Sequence, residues 1–234
     1  MNCKIKWALL SVTIMATAIA SAEDLVESGF MTDYSQLRKV EDGSADYRYR
    51  AEGAFDRVAK YNAVMIDQPE IFIASDSPYR GAKPKHLNAL AEAFRTGVIQ
   101  AISEDLYVVD QPGPDVMYFS LAISNLRLTK KKKSVLGYTP VGLVAGGVRG
   151  AATTDIAKKA NLLDAVFEIE GFDSVSGERL LAVIDSLGAG KENPASWEEL
   201  EELALEYGRL LQCRMSNARL PEDARLNCLA ERAE

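Results

Sequence analysis

The sequence predicts an α+β protein: a mixed β-sheet packed by one main helix, with a C-terminal helical hairpin. Three observations support this class. Runs rich in β-branched and aromatic residues lie on both sides of one helical segment. That segment, from about His86 to Ser103, carries apolar residues at helical spacing. A second helical run begins with Ser196 and Glu199 in capping-box spacing and continues towards the C-terminus.

The strands are expected in order around the main helix. The first run is "YNAVMIDQPEIFIA", in which Pro69 indicates a bulge or an edge position. A short strand, "LYVV", ends at the turn "DQPGPD". The next run, "VMYFSLAISNLRL", alternates and places four apolar residues on one face: Met117, Phe119, Leu121 and Ile123. "AVFEIEGF" and "RLLAVID" predict a hairpin, with Glu168 and Glu170 facing water.

The chain divides into four predicted parts. Residues 1–22 predict a signal peptide, and residues 23–55 predict an extended arm that wraps the domain. Residues 56–190 predict the α+β domain, with a glycine-rich insertion at 130–154. Residues 191–234 predict the helical hairpin, whose second helix begins near Pro221.

The N-terminus has the pattern of a secretory leader. Two lysines precede an apolar run, and Ala20-Ser21-Ala22 fits the small-residue motif before a cleavage site. Cleavage near Ala22 predicts a periplasmic or secreted protein, and the alternative is an uncleaved N-terminal anchor. Cys3 precedes the apolar run, whereas a lipoprotein cysteine follows it, so no lipid anchor is predicted.

Charge and cysteine content agree with export. Loss of Lys4 and Lys6 with the leader takes the net charge from −7 to −9, which disfavours general nucleic-acid binding. The remaining cysteines are Cys213 and Cys228, and an exported chain is expected to join them in a disulfide. The alternative is a pair of buried free thiols.

The insertion is the most unusual stretch of the sequence. Glycines at four-residue intervals would allow close contact if the stretch is helical, and lysines beside an apolar segment attract anionic lipid. We therefore expect docking on an envelope protein, self-association or contact with a membrane surface; the alternative is a mobile loop. The candidate interaction residues are Lys130, Lys131, Lys132, Lys133, Gly142, Val144, Gly146 and Gly150.

No catalytic, cofactor or metal site is predicted. His86 is the only histidine, so a histidine-rich metal site is excluded, and its place at a helix start predicts a surface or capping role. Asp67 follows an apolar strand and is interpreted either as a buried titrating acid or as a turn or bulge cap. Glu168 and Glu170 share one face of a strand, as a glycosidase pair would, but the wet face of a sheet explains them better.

Two short motifs resemble a known family. "SGFMTDYSQL", at residues 28–37, and "YNAVMID", at residues 61–67, resemble the bacterial envelope family named domain of unknown function 3313. The resemblance implies a Gram-negative envelope protein, and members of the family are mostly predicted lipoproteins. This chain lacks a cysteine at the cleavage site, so it departs from that pattern.

These observations predict an exported, non-enzymatic cell-envelope protein that acts as an accessory or scaffolding subunit through protein contacts. The alternative is a periplasmic module that binds a lipid or another apolar ligand at the membrane surface, which predicts a ligand-sized cavity under the loop at residues 137–153. An enzyme is the third possibility and would need acidic residues that converge near Asp67 or His86.

Overall fold

The computed structural model describes residue 25 and residues 27–41, 45–102, 106–131, 154–187 and 195–228. The predicted signal peptide at 1–22 lies outside these residues, as does most of the glycine-rich insertion. None of the helices in the described ranges combines the length and the apolarity needed to cross a membrane.

The core of the fold is one eight-stranded mixed sheet, as the sequence predicted. The strand order is β1-β2-β8-β7-β6-β3-β5, and β4 pairs with β6 beyond the end of β3. The pairs β1–β2, β2–β8, β8–β7 and β7–β6 are antiparallel, whereas β3 and β4 run parallel to β6 and β5 runs parallel to β3. The strands are β1 Arg38–Lys39, β2 Tyr47–Arg50, β3 Ala63–Ile66, β4 Glu70–Ile73, β5 Tyr107–Val108, β6 Val116–Lys130, β7 Ala160–Asp173 and β8 Arg179–Leu187.

Strands β6 and β7 are the long central pair of the sheet. Alternation along β6 places one set of side chains in the core, and the four apolar residues predicted to share a face are all buried: Met117, Phe119, Leu121 and Ile123. Strands β3 and β4 pair with successive parts of β6 and are separated at residues 67–69. Proline lacks the N–H that a ladder needs, so this break agrees with the bulge or edge expected at Pro69.

Three helices accompany the sheet: α1 Ala54–Val58, α2 Pro84–Gln100 and α3 Trp197–Asn217. The predicted main helix is α2, and α3 begins with the predicted capping box. The Glu199 N–H donates to Ser196 Oγ at 3.0 Å, and the Ser196 N–H donates to Glu199 Oε2 at 2.7 Å.

Helices α2 and α3 pack on the same face of the sheet, and aromatic rings join the layers. The Phe167 ring of β7 lies 5.0 Å from Phe94 of α2 and 4.5 Å from Tyr207 of α3, measured between centroids. The two helices approach closely where Gly97 faces Ala204 and where Gly208 faces Val98. Both helices therefore share one hydrophobic core with the sheet.

The second helix predicted from Pro221 is not found within residues 221–228. These residues form a short 3₁₀ helix, Glu222–Ala224, followed by extended backbone. Asn217 explains the difference, because its side chain accepts a hydrogen bond from Leu226 N (2.8 Å) and donates one to Leu226 O (2.7 Å). Those two bonds fold the segment back onto the end of α3.

The opposite face of the sheet is covered by the N-terminal residues. Met31, Tyr34 and Leu37 form a small buried cluster with Ala182 and Ile184 of β8. Strands β1 and β2 belong to the same stretch of chain and extend the sheet beyond β8. Residues from about 30 to 50 therefore contribute both to the sheet edge and to its second face.

Candidate functional site

A cavity of about 330 Å³ lies between the sheet and α3. Its floor is made of buried apolar side chains from three strands: Met117, Phe119, Ile169 and Val183. Helix α3 supplies one wall with Tyr207, Leu210 and Met215, which are also buried. The remaining walls come from α1, from β2 and from the C-terminal segment.

The helix arrangement explains why this space is open. Helix α2 contacts α3 at residues 204–208 and ends at Gln100. The α3 residues that line the cavity run from Tyr207 to Met215, mostly beyond that contact. The short α1 contributes Ala54, Phe55 and Val58 there instead, in place of a second long helix.

The mouth of the cavity is basic. Arg48 and Arg50 of β2 and Arg214 of α3 line it, and all three are partly or fully exposed. No aspartate or glutamate is among the described residues that line the cavity. A fourth guanidinium lies close by, because Arg225 stacks over the Phe55 ring at 4.4 Å.

A disulfide holds the last wall in place. Cys213 of α3 is bonded to Cys228, as the sequence predicted, and Cys228 itself lines the cavity. The bond and the two hydrogen bonds from Asn217 fix residues 226–228 against α3. A structural disulfide is consistent with an oxidising compartment outside the cytoplasm.

Glu168 and Glu170 are not in water, so that prediction was wrong. Both side chains are buried because the N-terminal residues cover this face of the sheet. Glu168 accepts hydrogen bonds from the Tyr34 hydroxyl (2.8 Å) and from the Ser124 hydroxyl. Glu170 forms an ion pair with Arg179, whose Nη1 lies 2.8 Å from Glu170 Oε1.

Tyr34 links the N-terminal residues to this buried carboxylate. Its hydroxyl also accepts the Met31 N–H at 3.1 Å, and burial is the main cause that raises the pKa of its phenol. We expect Tyr34→Phe to lower the free energy of unfolding by about 2 kcal/mol, because Glu168 then loses a buried donor. Urea unfolding measures the change, and Tyr107→Phe, at an exposed tyrosine, is the matched control. Equal stability of Tyr34→Phe and wild type would contradict this role.

His86 has the predicted capping role but is not on the surface. The Lys83 N–H donates to His86 Nδ1 at 3.3 Å at the start of α2, and the ring is buried. Lys159 Nζ lies 3.2 Å from His86 Nε2. Burial and the neighbouring Lys159 lower the pKa of His86, which favours the neutral imidazole at neutral pH.

Asp67 is exposed, so its interpretation as a buried titrating acid was wrong. It lies at the break between β3 and β4 and accepts a hydrogen bond from the Tyr118 hydroxyl. Burial and, second, this bond raise the pKa of Tyr118 to about 12. Asp67 lies between β3 and β4, whereas His86 lies in the first turn of α2. Within the part of the chain that the structure describes, no contact joins the two side chains.

The predicted interaction residues are only partly described. Lys130 ends β6 and is exposed, and Lys131 follows it, with Nζ donating to Ala157 O at 2.7 Å. The other six lie outside the described residues: Lys132, Lys133, Gly142, Val144, Gly146 and Gly150.

The sequence alone did not identify the cavity residues as a site. Their spacing in strands and in α3 is that of ordinary core residues, so no local pattern separates a cavity lining from a filled core. The only local signal was the pair of arginines in "YRYR", on a strand that borders the domain.

The fold and the candidate site together define an α+β protein with an apolar cavity whose mouth is lined by arginines. The sequence matches the family model "Protein of unknown function (DUF3313)" over residues 26–209, and the chain belongs to this family. The envelope location that the resemblance implied stays a prediction, and so does the expected departure from the lipoprotein pattern. No curated protein matches the chain.

Two solved structures show distant similarity. The PelC dodecamer from Paraburkholderia phytofirmans is 10% identical, with coverage of 67% of this chain and 89% of that chain and a TM-score of 0.33. A homolog of the neuraminyllactose-binding hemagglutinin from Helicobacter pylori is 8% identical, with coverage of 70% and 84% and a TM-score of 0.30. Similarities this distant carry no argument about function here.

Proposed function

We propose that this protein is an exported, non-enzymatic envelope protein that binds a lipid or another apolar ligand in the cavity between the sheet and α3. The cavity is the observation that carries the proposal. Its volume of about 330 Å³ lies at the lower end of the range of small-molecule sites, which is roughly 300–1,000 Å³. Small-molecule sites usually combine an apolar lining with a few polar groups, as this cavity does.

The size of the cavity supports a ligand rather than a packing defect. Protein interiors are close-packed, and voids larger than a water molecule are few in each domain. The cavity opens to solvent at its mouth, and apolar surface in contact with water is less favourable than the same surface buried against apolar groups. Side chains of the lining such as Phe119, Ile169 and Tyr207 would gain apolar contacts when an apolar ligand binds.

A cavity-filling substitution tests the proposal. Leu211 lines the cavity and is half-buried, so Leu211→Trp adds an indole ring at the site without removing a buried floor residue. We expect wild type to bind the neutral fluorescent probe 1-aminoanthracene and Leu211→Trp to bind it at least about tenfold more weakly, a loss of about 1.4 kcal/mol.

The control places the same ring elsewhere on the same helix. Arg209 is exposed and does not line the cavity, so Arg209→Trp is expected to bind the probe as wild type does. Failure of the wild-type protein to bind any apolar probe would overturn the proposed function. Equal affinity in wild type and Leu211→Trp would place probe binding outside the cavity.

An accessory or scaffolding role through protein contacts stays a hypothesis beside this one. Its sequence evidence is the glycine-rich stretch around Val144, which lies outside the described residues. Photo-crosslinking from Val144 in cells tests it: a discrete protein adduct would support docking, a lipid adduct would support membrane contact, and no adduct would oppose both.

A further inference from the structure

We propose that the ligand of the cavity is a single-chain anionic amphiphile, whose acidic head group is bound by Arg48, Arg50 and Arg214. This inference rests on the proposed function, because it names the chemical class of the ligand in the same cavity. A fatty acid and an alkyl phosphate are the simplest members of that class.

The burial of the lining divides the cavity into two chemically different parts. The buried side chains of the floor and of the α3 wall are at most 8% exposed, and those of Met117, Phe119 and Met215 are at most 1% exposed. The arginines are more exposed than these side chains, as are the half-buried apolar residues of the lining, so the opening to solvent has an apolar rim that carries three guanidinium groups. An amphiphile with its chain on the floor and its head group at the mouth satisfies both parts.

The charge at the mouth selects the sign of the head group. Among the described residues that line the cavity, all the charged ones are arginines, although the chain as a whole has a net charge of −7. Guanidinium groups are planar and bind carboxylates and phosphates through paired N–H donors, with stronger bonds than neutral partners form. A cationic head group would be repelled, and a neutral hydroxyl accepts only a single, weaker hydrogen bond from a guanidinium.

Existing contacts of the arginines are compatible with this role. Arg48, Arg50 and Arg214 each also interact with other groups of the protein, which helps to hold them in position. A guanidinium has five N–H donors, so a contact within the protein does not exhaust its capacity. Arg225, stacked on Phe55, brings further positive charge to the same mouth.

The volume limits the apolar part of the ligand. A cavity of about 330 Å³ is at the small end of ligand sites, which suits one alkyl chain better than the two chains of a phospholipid. The α1 and C-terminal walls close the sides, so the chain would lie between β6, β7 and α3.

The test compares ligands that share one chain and differ in head group. Displacement of 1-aminoanthracene is measured with dodecanoate, dodecyl phosphate, dodecanol and dodecyltrimethylammonium, each below its micelle concentration or, for dodecanol, below its solubility limit. We expect one or both anionic ligands to bind at least about tenfold more tightly than dodecanol. Preference for dodecanoate would indicate a fatty acid, and preference for dodecyl phosphate would indicate a phosphate head group.

Arginine variants then test whether the mouth of the cavity causes the preference for anionic ligands. The triple variant Arg48→Gln/Arg50→Gln/Arg214→Gln is expected to lose the anion preference and to keep its affinity for dodecanol, which also shows that it folds. Arg209→Gln removes an exposed arginine from the same helix but outside the cavity, and it is expected to keep the preference.

Each failure has a distinct meaning. Equal binding of dodecanoate, dodecyl phosphate and dodecanol by wild type would overturn this inference and leave the apolar-ligand function standing. An anion preference that survives in the triple variant would also overturn it, because the three arginines would then not be the head-group site. Absence of binding by every ligand and by the probe would overturn the proposed function itself.

Discussion

Gly208→Ala is expected to lower the free energy of unfolding by about 1–3 kcal/mol, although alanine is the better helix former. A Cβ at position 208 would meet the backbone oxygen of Val98 and lie 2.6 Å from Ala101 Cβ, so α2 and α3 could not keep their present distance. Backbone atoms of a helix cannot rotate away as a flexible side chain can. The gain in helix propensity, about 1 kcal/mol at most, offsets only part of the cost.

Urea unfolding followed by circular dichroism measures this effect. Arg209→Ala, at the exposed neighbouring position, is the control, and it is expected to change stability by less than about 0.5 kcal/mol. The same packing holds Tyr207 and Leu210 at the cavity wall, so weaker binding of 1-aminoanthracene by Gly208→Ala is expected as well. A variant at least as stable as wild type would show that the helices separate there without loss.

Removal of the disulfide is expected to cost about 3 kcal/mol of stability. Cys213 and Cys228 are 15 residues apart in sequence, and a loop of that length gives about this value in the chain-entropy model. The variant is Cys213→Ser/Cys228→Ser. It should also bind 1-aminoanthracene more weakly, because Cys228 and the segment held by Asn217 form a wall of the cavity.

Reduction of the wild-type protein provides the matching measurement. Dithiothreitol is expected to lower the unfolding midpoint of wild type towards that of the double serine variant and to leave the variant unchanged. The reduced wild type keeps both sulfur-bearing side chains, so it separates the effect of the bond from that of the substitutions. A wild-type midpoint that does not respond to full reduction would contradict the expected contribution of the bond.

The sequence predicted the elements whose causes are local. Alternation along β6, helical spacing in α2 and the Ser196–Glu199 capping box each depend on residues close together in the chain, and each was confirmed. The Cys213–Cys228 bond was also predicted, because few cysteines remain to be paired. Local periodicity and residue counting were sufficient for these features.

Features that depend on distant contacts were not predictable in this way. Glu168 alternates with apolar neighbours, as a solvent-facing residue would. The N-terminal residues bury it, and one of them, Tyr34, lies 134 positions earlier in the chain. The burial of His86 and the exposure of Asp67 were not predictable for the same reason, since exposure is a property of the whole fold. The cavity depends on where α2 ends relative to α3. The residue spacing within either helix does not predict that relative position.

The hydrogen bond between Tyr34 and Glu168 also has a consequence for the order of folding. During synthesis the ribosome releases Tyr34 long before Glu168 exists, so this contact cannot form until most of the sheet has been made. Met31, Tyr34 and Leu37 therefore emerge first and dock late, with their apolar surface open to water in the interval. The attachment of the N-terminal stretch therefore has to follow the synthesis of both β7 and β8, which supply Glu168 and the Ala182 and Ile184 side chains that it covers.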